Sequence, residues 1–494
     1  MAQPLVREDA KRRKVAEEEG EEVGTSGSGQ HLVNGGHPLG VKPWGTLLFE
    51  CTASSGSPHA SAVRRRTEGL GLFAKMEDAV LIQVLGMMKP EELCALACTS
   101  STFYAYASHD ELWRALTFDD FATSSTEFYA TWKETYCRNR LRGLKGSAKG
   151  SPPCNGGRIG SETVYSDLLY QSYYCANLDL PEEWVSVENV PRRSNLSKEE
   201  FEARFEKPNV PVILTDVVTK WPAYEKWRNR EYILDAFEGE TVHVGGYQFS
   251  MEQYYEYTDN TNDEMPLYLF DKKFAEKSPK LAGDYTVPSY FAEDLFQVLG
   301  PGERPDYRWL IIGPARSGSS FHKDPNCTSA WNAVLTGRKK WIMFPPHVMP
   351  PGVHASENEL HVATSVSLIE WFLNFYQQTK ECEVAPRECV VEAGEVIFVP
   401  RGWWHLVVNL EESVALTQNF VSSANLKHVL KYIKDAELVS GCPLEQRASL
   451  HERFVQAMKE QRPKVLEAQE EKKGGQLADL FASGGKGAFK FNFG

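Results

Sequence analysis

The stretch from residue 268 to residue 421 constrains the fold most, because it consists of short strand-like runs without helical periodicity between them. The runs are rich in β-branched and aromatic residues and are separated by Gly, Pro and Asn. Many short strands without intervening helices favour a two-sheet β roll over a parallel α/β sheet. We therefore predict an α+β fold built on such a roll, with strands at 309–312, 329–335, 340–344, 396–399, 405–409 and 414–421.

Helical patterns flank this roll on both sides. Residues 78–116 place apolar side chains at helical spacing, and Pro90 stands where a helix can begin. A helical unit of about fifty residues is marginal alone and requires a neighbour or a partner. The predicted organisation is a disordered arm at 1–68, a helical unit at 69–120, a flexible linker at 143–160, the β-roll unit at 180–424, C-terminal helices at 425–464 and a low-complexity tail at 465–494.

Charge and cysteine usage limit the partners and the compartment. The chain has 54 Lys and Arg against 67 Asp and Glu, a net charge of −13, which disfavours non-specific nucleic-acid binding and favours basic protein partners. No apolar run approaches the ~18 residues that a membrane span needs. The ten cysteines form no CxxC pair, which indicates a reduced, intracellular compartment. The basic run at 11–14 is compatible with a nuclear import signal or a solvated tail; we predict a nuclear location, with the cytoplasm as the alternative.

A candidate metal site rests on two separated sequence features. His322 and Asp324 are two residues apart, so in an extended segment both side chains point to the same side. Alone, this pair is a weak signal and favours surface hydrogen bonds over a metal site. His405 precedes an apolar strand, where a buried imidazole requires a ligand or a hydrogen-bond acceptor. Two histidines and one carboxylate form the facial triad of non-haem Fe(II) oxygenases, which leaves coordination positions open for cosubstrate and oxidant.

Two further polar residues interrupt predicted strands. Lys339 begins one strand and Thr417 lies within the apolar run of another. An ammonium and a hydroxyl that converge inside the roll would suit the distal carboxylate of 2-oxoglutarate. An exposed lysine and a strand-forming threonine are the alternative interpretation. Lys340 is adjacent, but strand alternation places Lys339 on the same face as Trp341 and Met343, which favours Lys339 as the inward ammonium.

Several blocks in the same order resemble the JmjC-domain oxygenases, and most of all the subgroup of bifunctional arginine demethylases and lysyl-hydroxylases. The resemblance extends over roughly residues 180–423, about half of the chain. Position 319 is a serine where the subgroup often has threonine, so the hydroxyl is retained. The blocks are residues 266–271, 307–309, 313–325, 328–333, 402–405 and 416–420.

The resemblance implies a cupin-like jelly roll (a double-stranded β-helix), two cofactors and a reaction. It implies an Fe(II)- and 2-oxoglutarate-dependent protein oxygenase that hydroxylates lysine or demethylates methyl-arginine in histones or other nuclear basic proteins. Both outcomes share one oxidation step, so the site residues do not decide between them. The implied iron ligands are His322, Asp324 and His405; the implied 2-oxoglutarate residues are Lys339 and Thr417, with Asn332, Tyr268 and Ser319 lining that pocket.

The helical unit resembles an F-box between residues 78 and 113. It departs at the start, where residues 74–76 replace the usual Leu-Pro. The resemblance implies binding to a Skp1-type adaptor through residues 69–120. It also implies an alternative function, an F-box substrate adaptor of a ubiquitin ligase whose JmjC fold serves only for binding. The combination of both units is similar to an architecture familiar in plants.

Three other features are open to more than one interpretation. A set of three histidines falls seven residues apart, but the prolines at 350 and 351 break any helix that would align them. Cys94 and Cys98 lie at helical spacing and are interpreted as core thiols. The helices at 425–464 fit a homodimer contact and an intramolecular cover over the roll equally well. The histidine set is His347, His354 and His361.

Overall fold

The computed structural model describes residues 37–43, 66–145, 164–357 and 360–471. The basic run at 11–14, most of the predicted linker and the end of the predicted tail therefore lie outside the described residues. Within the described ranges, no helix combines the length and the apolar character that crossing a bilayer would require.

Four α-helices form the predicted unit at 69–120, and a fifth extends it to residue 145; the five together are called the helical unit below. Helix α1 buries Leu81 and Leu85, and α2 begins at Pro90 and buries Leu93 and Ala97. Because these side chains recur every four residues, each helix presents a single apolar face to the unit's interior. The helices are α1 (Asp78–Leu85), α2 (Pro90–Ala97), α3 (Ser101–Tyr106), α4 (Asp110–Asp120) and α5 (Trp132–Lys145).

The remaining helices surround the roll or follow it. A capping box of Ser197 and Glu200 begins one of them, and Ser250 caps another. They are α6 (Asp167–Asn177), α7 (Glu182–Val185), α8 (Lys198–Phe201), α9 (Pro222–Lys226), α10 (Arg230–Ala236), α11 (Met251–Asn260), α12 (Phe274–Lys277), α13 (Pro279–Ala282), α14 (Leu368–Phe375), α15 (Leu426–Tyr432), α16 (Leu444–Arg447), α17 (Leu450–Gln461) and α18 (Pro463–Glu471).

Two antiparallel sheets form the predicted jelly roll, which confirms the α+β fold. The strands are β1 (Arg192–Arg193), β2 (Val212–Leu214), β3 (Val242–Val244), β4 (Tyr247–Phe249), β5 (Leu269–Asp271), β6 (Arg308–Gly313), β7 (Gly318–His322), β8 (Ser329–Thr336), β9 (Arg338–Phe344), β10 (His354–Ala355), β11 (Val362–Ala363), β12 (Arg387–Glu392), β13 (Val396–Val399), β14 (Trp404–Asn409) and β15 (Ser413–Phe420). The larger sheet has the order β1-β2-β13-β8-β15-β6-β5-β3-β4, and the smaller has the order β12-β9-β14-β7. Only the β1–β2 pair is parallel in the two sheets.

The six predicted strands are present, but the prediction omitted several others that complete the sheets. The most important is β7, whose Gly-Ser-Ser start has low strand propensity. Its partner β14 supplies the backbone hydrogen bonds that hold β7 extended. Because this pairing joins segments about eighty residues apart in the chain, the local residue pattern around β7 does not predict it.

Three predicted boundaries are wrong at their edges. The arm at 1–68 contains an ordered segment, since Val41 is buried and Lys42 forms a bridge with Tyr165. The linker at 143–160 begins too early, because α5 continues to Lys145. The tail at 465–494 also begins too early, because α18 continues to Glu471. The bridge at Lys42 connects residues more than a hundred positions apart, which local periodicity does not reveal.

The thiols of Cys94 and Cys98 are exposed rather than part of the core. Leu93 and Ala97 occupy the buried positions of α2, and each cysteine follows one of them by a single helical step. A step of one residue rotates a side chain by about 100° around the helix, which moves both thiols to the surface.

Aromatic contacts join the helical unit to the β-roll unit. The ring of Phe118 stacks on Tyr247 with 3.8 Å between centroids, and it meets Phe249 edge-on. The indole of Trp132 donates a hydrogen bond of 2.7 Å to Asp263. These contacts bury apolar surface that the helical unit cannot cover with its own residues. The two units therefore share one hydrophobic core.

Replacement of Phe249 by alanine tests this shared core. Phe249 is fully buried, and its loss leaves a cavity between the units that should lower the free energy of unfolding by about 3–5 kcal/mol. Chemical denaturation followed by tryptophan fluorescence would measure the change. The control is Leu72→Ala, because Leu72 is 84% exposed and its loss should leave the midpoint unchanged. An unaltered midpoint for Phe249→Ala would show that the contact between the units is not part of the stable core.

Candidate metal and cosubstrate site

The pairing of β7 with β14 brings the three candidate metal ligands together. His405 lies directly opposite His322 in this pair, and their ring centroids are 4.2 Å apart. Asp324 follows β7 by two residues. One potential ligand atom from each of the three side chains lies within 4.8 Å of the other two. The cluster thus has the composition and the compactness of a two-histidine, one-carboxylate metal site.

Backbone carbonyls orient both imidazoles. Nδ1 of His322 lies 2.8 Å from the carbonyl oxygen of Ser320, and Nδ1 of His405 lies 3.0 Å from that of Trp403. An imidazole that donates from Nδ1 keeps the Nε2 lone pair for a metal. Burial, and next the neighbouring His322, lower the pKa of His405 well below its usual value. His405 is therefore neutral at physiological pH, as a metal ligand must be.

The carboxylate of Asp324 is held on one side and open on the other. Its Oδ1 accepts a hydrogen bond of 3.3 Å from Nδ2 of Asn419, while its buried Oδ2 has no partner among the described residues. Burial raises the pKa of Asp324 to about 6, and the charge of His322 opposes this shift. An unsatisfied carboxylate oxygen beside two imidazoles fits a divalent cation, which would supply the missing partner.

Lys339 is the second unusual group inside the roll. Its side chain is 1% exposed, and Nζ donates to the hydroxyl of Tyr268 at 2.9 Å and to Oδ1 of Asn409 at 2.6 Å. Both partners are neutral, and no carboxylate in the described part of the chain lies within 4.0 Å of Nζ. Burial lowers the pKa of Lys339 to about 7. A buried ammonium without a counter-charge fits an anionic ligand such as the far carboxylate of 2-oxoglutarate.

The other predicted pocket residues share the inner face of the roll. Thr417 lies opposite Asn332 in the β15–β8 pair. The hydroxyl of Thr417 donates to the carbonyl of Trp331 at 2.9 Å, so it would have to rotate to reach a carboxylate. The amide oxygen of Asn332 is buried and has no donor among the described residues. Ser319 lies opposite Val407, which belongs to the apolar cluster inside the roll.

These positions agree with the expected pocket, while the individual roles of the eight site residues stay predictions. The metal residues and the Lys339 group occupy neighbouring strands of one small sheet. Tyr268, Asn332 and Thr417 come from the facing sheet or its entrance. An unsatisfied carboxylate and an unpaired ammonium therefore occur in one enclosure, as iron and 2-oxoglutarate together require.

Four residues that bear on this site were not among the residues predicted from the sequence. Asn409 holds Lys339, and Asn419 holds Asp324. Trp309 lies opposite Thr417, and its ring centroid is 5.5 Å from that of Phe270, a side chain that is 38% exposed. Asn409 is a polar residue at the end of an apolar strand, and this sequence feature could have identified it as a candidate. Its partner could not be inferred, because strand register is not visible in the sequence.

The rejected histidine set forms no site in the described residues. The groups that could hold a metal there comprise only the cluster of His322, Asp324 and His405. His354 lies in a strand of the short β10–β11 sheet and not in a helix, so helical spacing does not align the three histidines.

Two known domain families match this chain. The cupin-like domain family matches residues 198–425. This range contains every strand of the two sheets except β1, and it also contains the separate β10–β11 pair. The F-box-like family matches residues 78–119, which are helices α1 to α4.

Individual relatives extend over more of the chain. The arginine-specific demethylase JMJ22 of Arabidopsis thaliana is 45% identical over 436 residues, which cover 88% of this chain and 83% of the relative. The bifunctional arginine demethylase and lysyl-hydroxylase psr-1 of Caenorhabditis elegans is 37% identical, over 60% of this chain and 73% of its own. The 2-oxoglutarate and iron-dependent oxygenase JMJD4 of Danio rerio is 29% identical, over 50% of this chain and 64% of its own.

The pKa of Lys339 predicts how cosubstrate affinity depends on pH. Only the protonated lysine attracts a carboxylate, so affinity should be constant below pH 7 and fall by up to about tenfold per pH unit above it. Calorimetric titration of 2-oxoglutarate between pH 6.5 and 8.5, with Mn(II) in place of Fe(II), would measure this dependence. Lys339→Arg is the control, since arginine stays charged and should remove the slope. A wild-type affinity that does not change with pH would contradict the assignment.

Proposed function

The chain belongs to the cupin-like JmjC oxygenases, and from this premise we propose that it uses Fe(II) and 2-oxoglutarate to demethylate methylated arginine in basic proteins. One observation carries the proposal. A compact His-Asp-His cluster and a buried ammonium without an acidic partner lie in the same small sheet of the roll. Neither group is needed to build a jelly roll, and together they match the requirements of one metal and one dicarboxylate.

Each group of residues has a separate task in this reaction. His322, Asp324 and His405 would hold the metal from one side and leave its other positions accessible. Lys339 would hold the far carboxylate of the cosubstrate. When bound, Fe(II) with 2-oxoglutarate and O₂ supplies an oxidant that inserts oxygen into a C–H bond, with succinate and CO₂ as coproducts. The apolar cluster around Trp341 excludes bulk water from the enclosure.

The chemistry of the substrate decides the product. Oxygen inserted at an N-methyl carbon gives a hemiaminal, whose C–N bond breaks to release formaldehyde and leave an N–H on the arginine. Oxygen inserted at a side-chain carbon of lysine stays in place as a hydroxyl group. The protein residues that bind the cofactors act identically in both cases, so lysyl hydroxylation is the second outcome that this site could support.

Two observations favour methylated arginine. The relative JMJ22, named as an arginine-specific demethylase, matches over most of both chains. In addition, Phe270 and Trp309 form an accessible aromatic pair on the face that carries Thr417. A planar guanidinium stacks on such rings more readily than a compact ammonium does.

The alternative of a pure F-box adaptor has less support than the oxygenase. Its barrel would need neither a complete ligand cluster nor an unpaired buried lysine. Binding of a Skp1-type adaptor is nevertheless compatible with catalysis, and we propose it for the F-box-like helices α1 to α4. Leu72, Val80 and Met87 are exposed apolar side chains on or near these helices and are the residues to test.

Location and assembly stay predictions. The nuclear location rests on the basic run at 11–14 alone. For the C-terminal helices, α17 packs Phe454 against Phe296 of the same chain, with 4.7 Å between ring centroids. This packing supports an intramolecular role, while the homodimer predicted from the sequence remains a proposal.

Mass spectrometry of basic peptides tests the proposed reaction. Incubated with Fe(II) and 2-oxoglutarate, the full chain should remove one methyl group from a methyl-arginine peptide and release formaldehyde and succinate in equal amounts. His322→Ala should abolish all three signals because it removes one ligand of the cluster.

A peptide in which unmethylated lysine replaces the methyl-arginine, with all other residues unchanged, serves as the comparison. Gain of one oxygen on that peptide, without any demethylation of the arginine peptide, would replace the proposed outcome with lysyl hydroxylation. The absence of succinate with any peptide would contradict oxygenase activity altogether.

A further inference from the structure

We propose that Asn409 is a positioning residue for cosubstrate binding, because it fixes the ammonium of Lys339 while leaving its charge uncompensated. This inference rests on the proposed function and adds a residue that neither the sequence resemblance nor the relatives assign. It concerns affinity for the dicarboxylate and not the oxidation step.

Asn409 is positioned for this task by the register of two strands. It lies directly opposite Lys339 in the β14–β9 pair, so both side chains point to the same face. Asn409 is fully buried, and its Oδ1 accepts the hydrogen bond of 2.6 Å from Nζ. The lysine has few alternative positions, since the hydroxyl of Tyr268 is its second partner.

The loop that precedes β7 fixes the amide of Asn409 in turn. Its Nδ2 donates to the hydroxyl of Ser317 at 2.8 Å, and the backbone N–H of Asn409 donates to the carbonyl of Ser317 at 2.8 Å. The hydroxyl of Ser317 donates to the carbonyl of Pro314 at 2.6 Å. Because its NH₂ group is committed to Ser317, the amide oxygen of Asn409 faces Lys339.

The adjacent Lys340 provides an internal comparison. It is also fully buried, on the opposite face of β9, but its Nζ lies 3.0 Å from a carboxylate oxygen of Glu388. The same strand therefore contains one lysine whose charge is neutralised within the protein and one whose charge is not. The difference lies in the side chain that meets each ammonium from the neighbouring strand, which is the acid Glu388 of β12 for Lys340 and the amide Asn409 of β14 for Lys339.

This difference has a functional consequence. A carboxylate at position 409 would form an ion pair with Lys339 and satisfy it without any ligand. The far carboxylate of 2-oxoglutarate would then have to compete with an internal anion and approach a second negative charge. An amide accepts a hydrogen bond from the ammonium without neutralising its positive charge, so the ammonium still attracts the incoming dianion.

Asn409→Asp in the full chain tests the proposal through two measurements that should move in opposite directions. Without cosubstrate, the melting temperature should rise, because a buried ammonium gains a counter-charge. The Kd for 2-oxoglutarate, measured by calorimetry with Mn(II), should increase by about thirtyfold or more. The Kd for 2-oxobutyrate, which lacks the far carboxylate, should change little, so the preference for the dicarboxylate should collapse.

Two further variants separate positioning from a general effect of substitution. Asn409→Ser removes the amide oxygen without adding charge and should weaken 2-oxoglutarate binding less than Asn409→Asp does. Asn139→Asp makes the same exchange at a buried asparagine in the helical unit, whose Nδ2 donates to the carbonyls of Glu127 and Thr135. It should lower the melting temperature and leave the Kd for 2-oxoglutarate unchanged.

The possible outcomes distinguish this inference from the proposed function. If the wild-type chain binds 2-oxoglutarate and Asn409→Asp binds it within twofold of wild type, the role of Asn409 is wrong and the proposed function is unaffected. An equal loss of affinity for both oxo acids would also overturn it, since that indicates a disturbed fold or metal site. If the wild-type chain binds no 2-oxoglutarate, the proposed function itself fails.

Discussion

Strand β14 is the element on which the rest of the site depends. It pairs with β7 on one side, which sets His405 opposite His322, and with β9 on the other, which sets Asn409 opposite Lys339. One strand therefore positions both the candidate metal ligands and the proposed cosubstrate lysine. A shift of β14 by one residue would turn His405 and Asn409 to the other face, away from His322 and Lys339, so the register of this strand is a functional constraint.

The sequence predicted the chemistry of the site better than its geometry. The spacing of His322 and Asp324 and the placement of His405 identified the candidate ligands, and strand alternation predicted that Lys339 and not Lys340 shares the face of Trp341 and Met343. The contact between the two histidines depends on β7, a strand with low intrinsic propensity that tertiary pairing holds extended. Asn409 could not be connected to Lys339 for the same reason, since register is determined by the whole sheet.

The two neighbouring lysines of β9 show how one fold separates stability from binding. Lys340 with Glu388 forms a buried ion pair, a contact that neutralises the charge inside the protein. Lys339 has only neutral partners, and burying its charge costs free energy that an anionic ligand can recover. In the proposed function, the affinity for a dicarboxylate would arise from the uncompensated charge of Lys339 in the unliganded protein, which Asn409 would preserve.

Anomalous diffraction from crystals of the full chain grown with Mn(II) and 2-oxoglutarate would show directly which residues hold the metal and the cosubstrate. We expect one metal peak bound by His322, Asp324 and His405, with the far carboxylate of 2-oxoglutarate on the ammonium of Lys339. A metal bound by other residues, or a carboxylate that does not contact Lys339, would contradict this expectation.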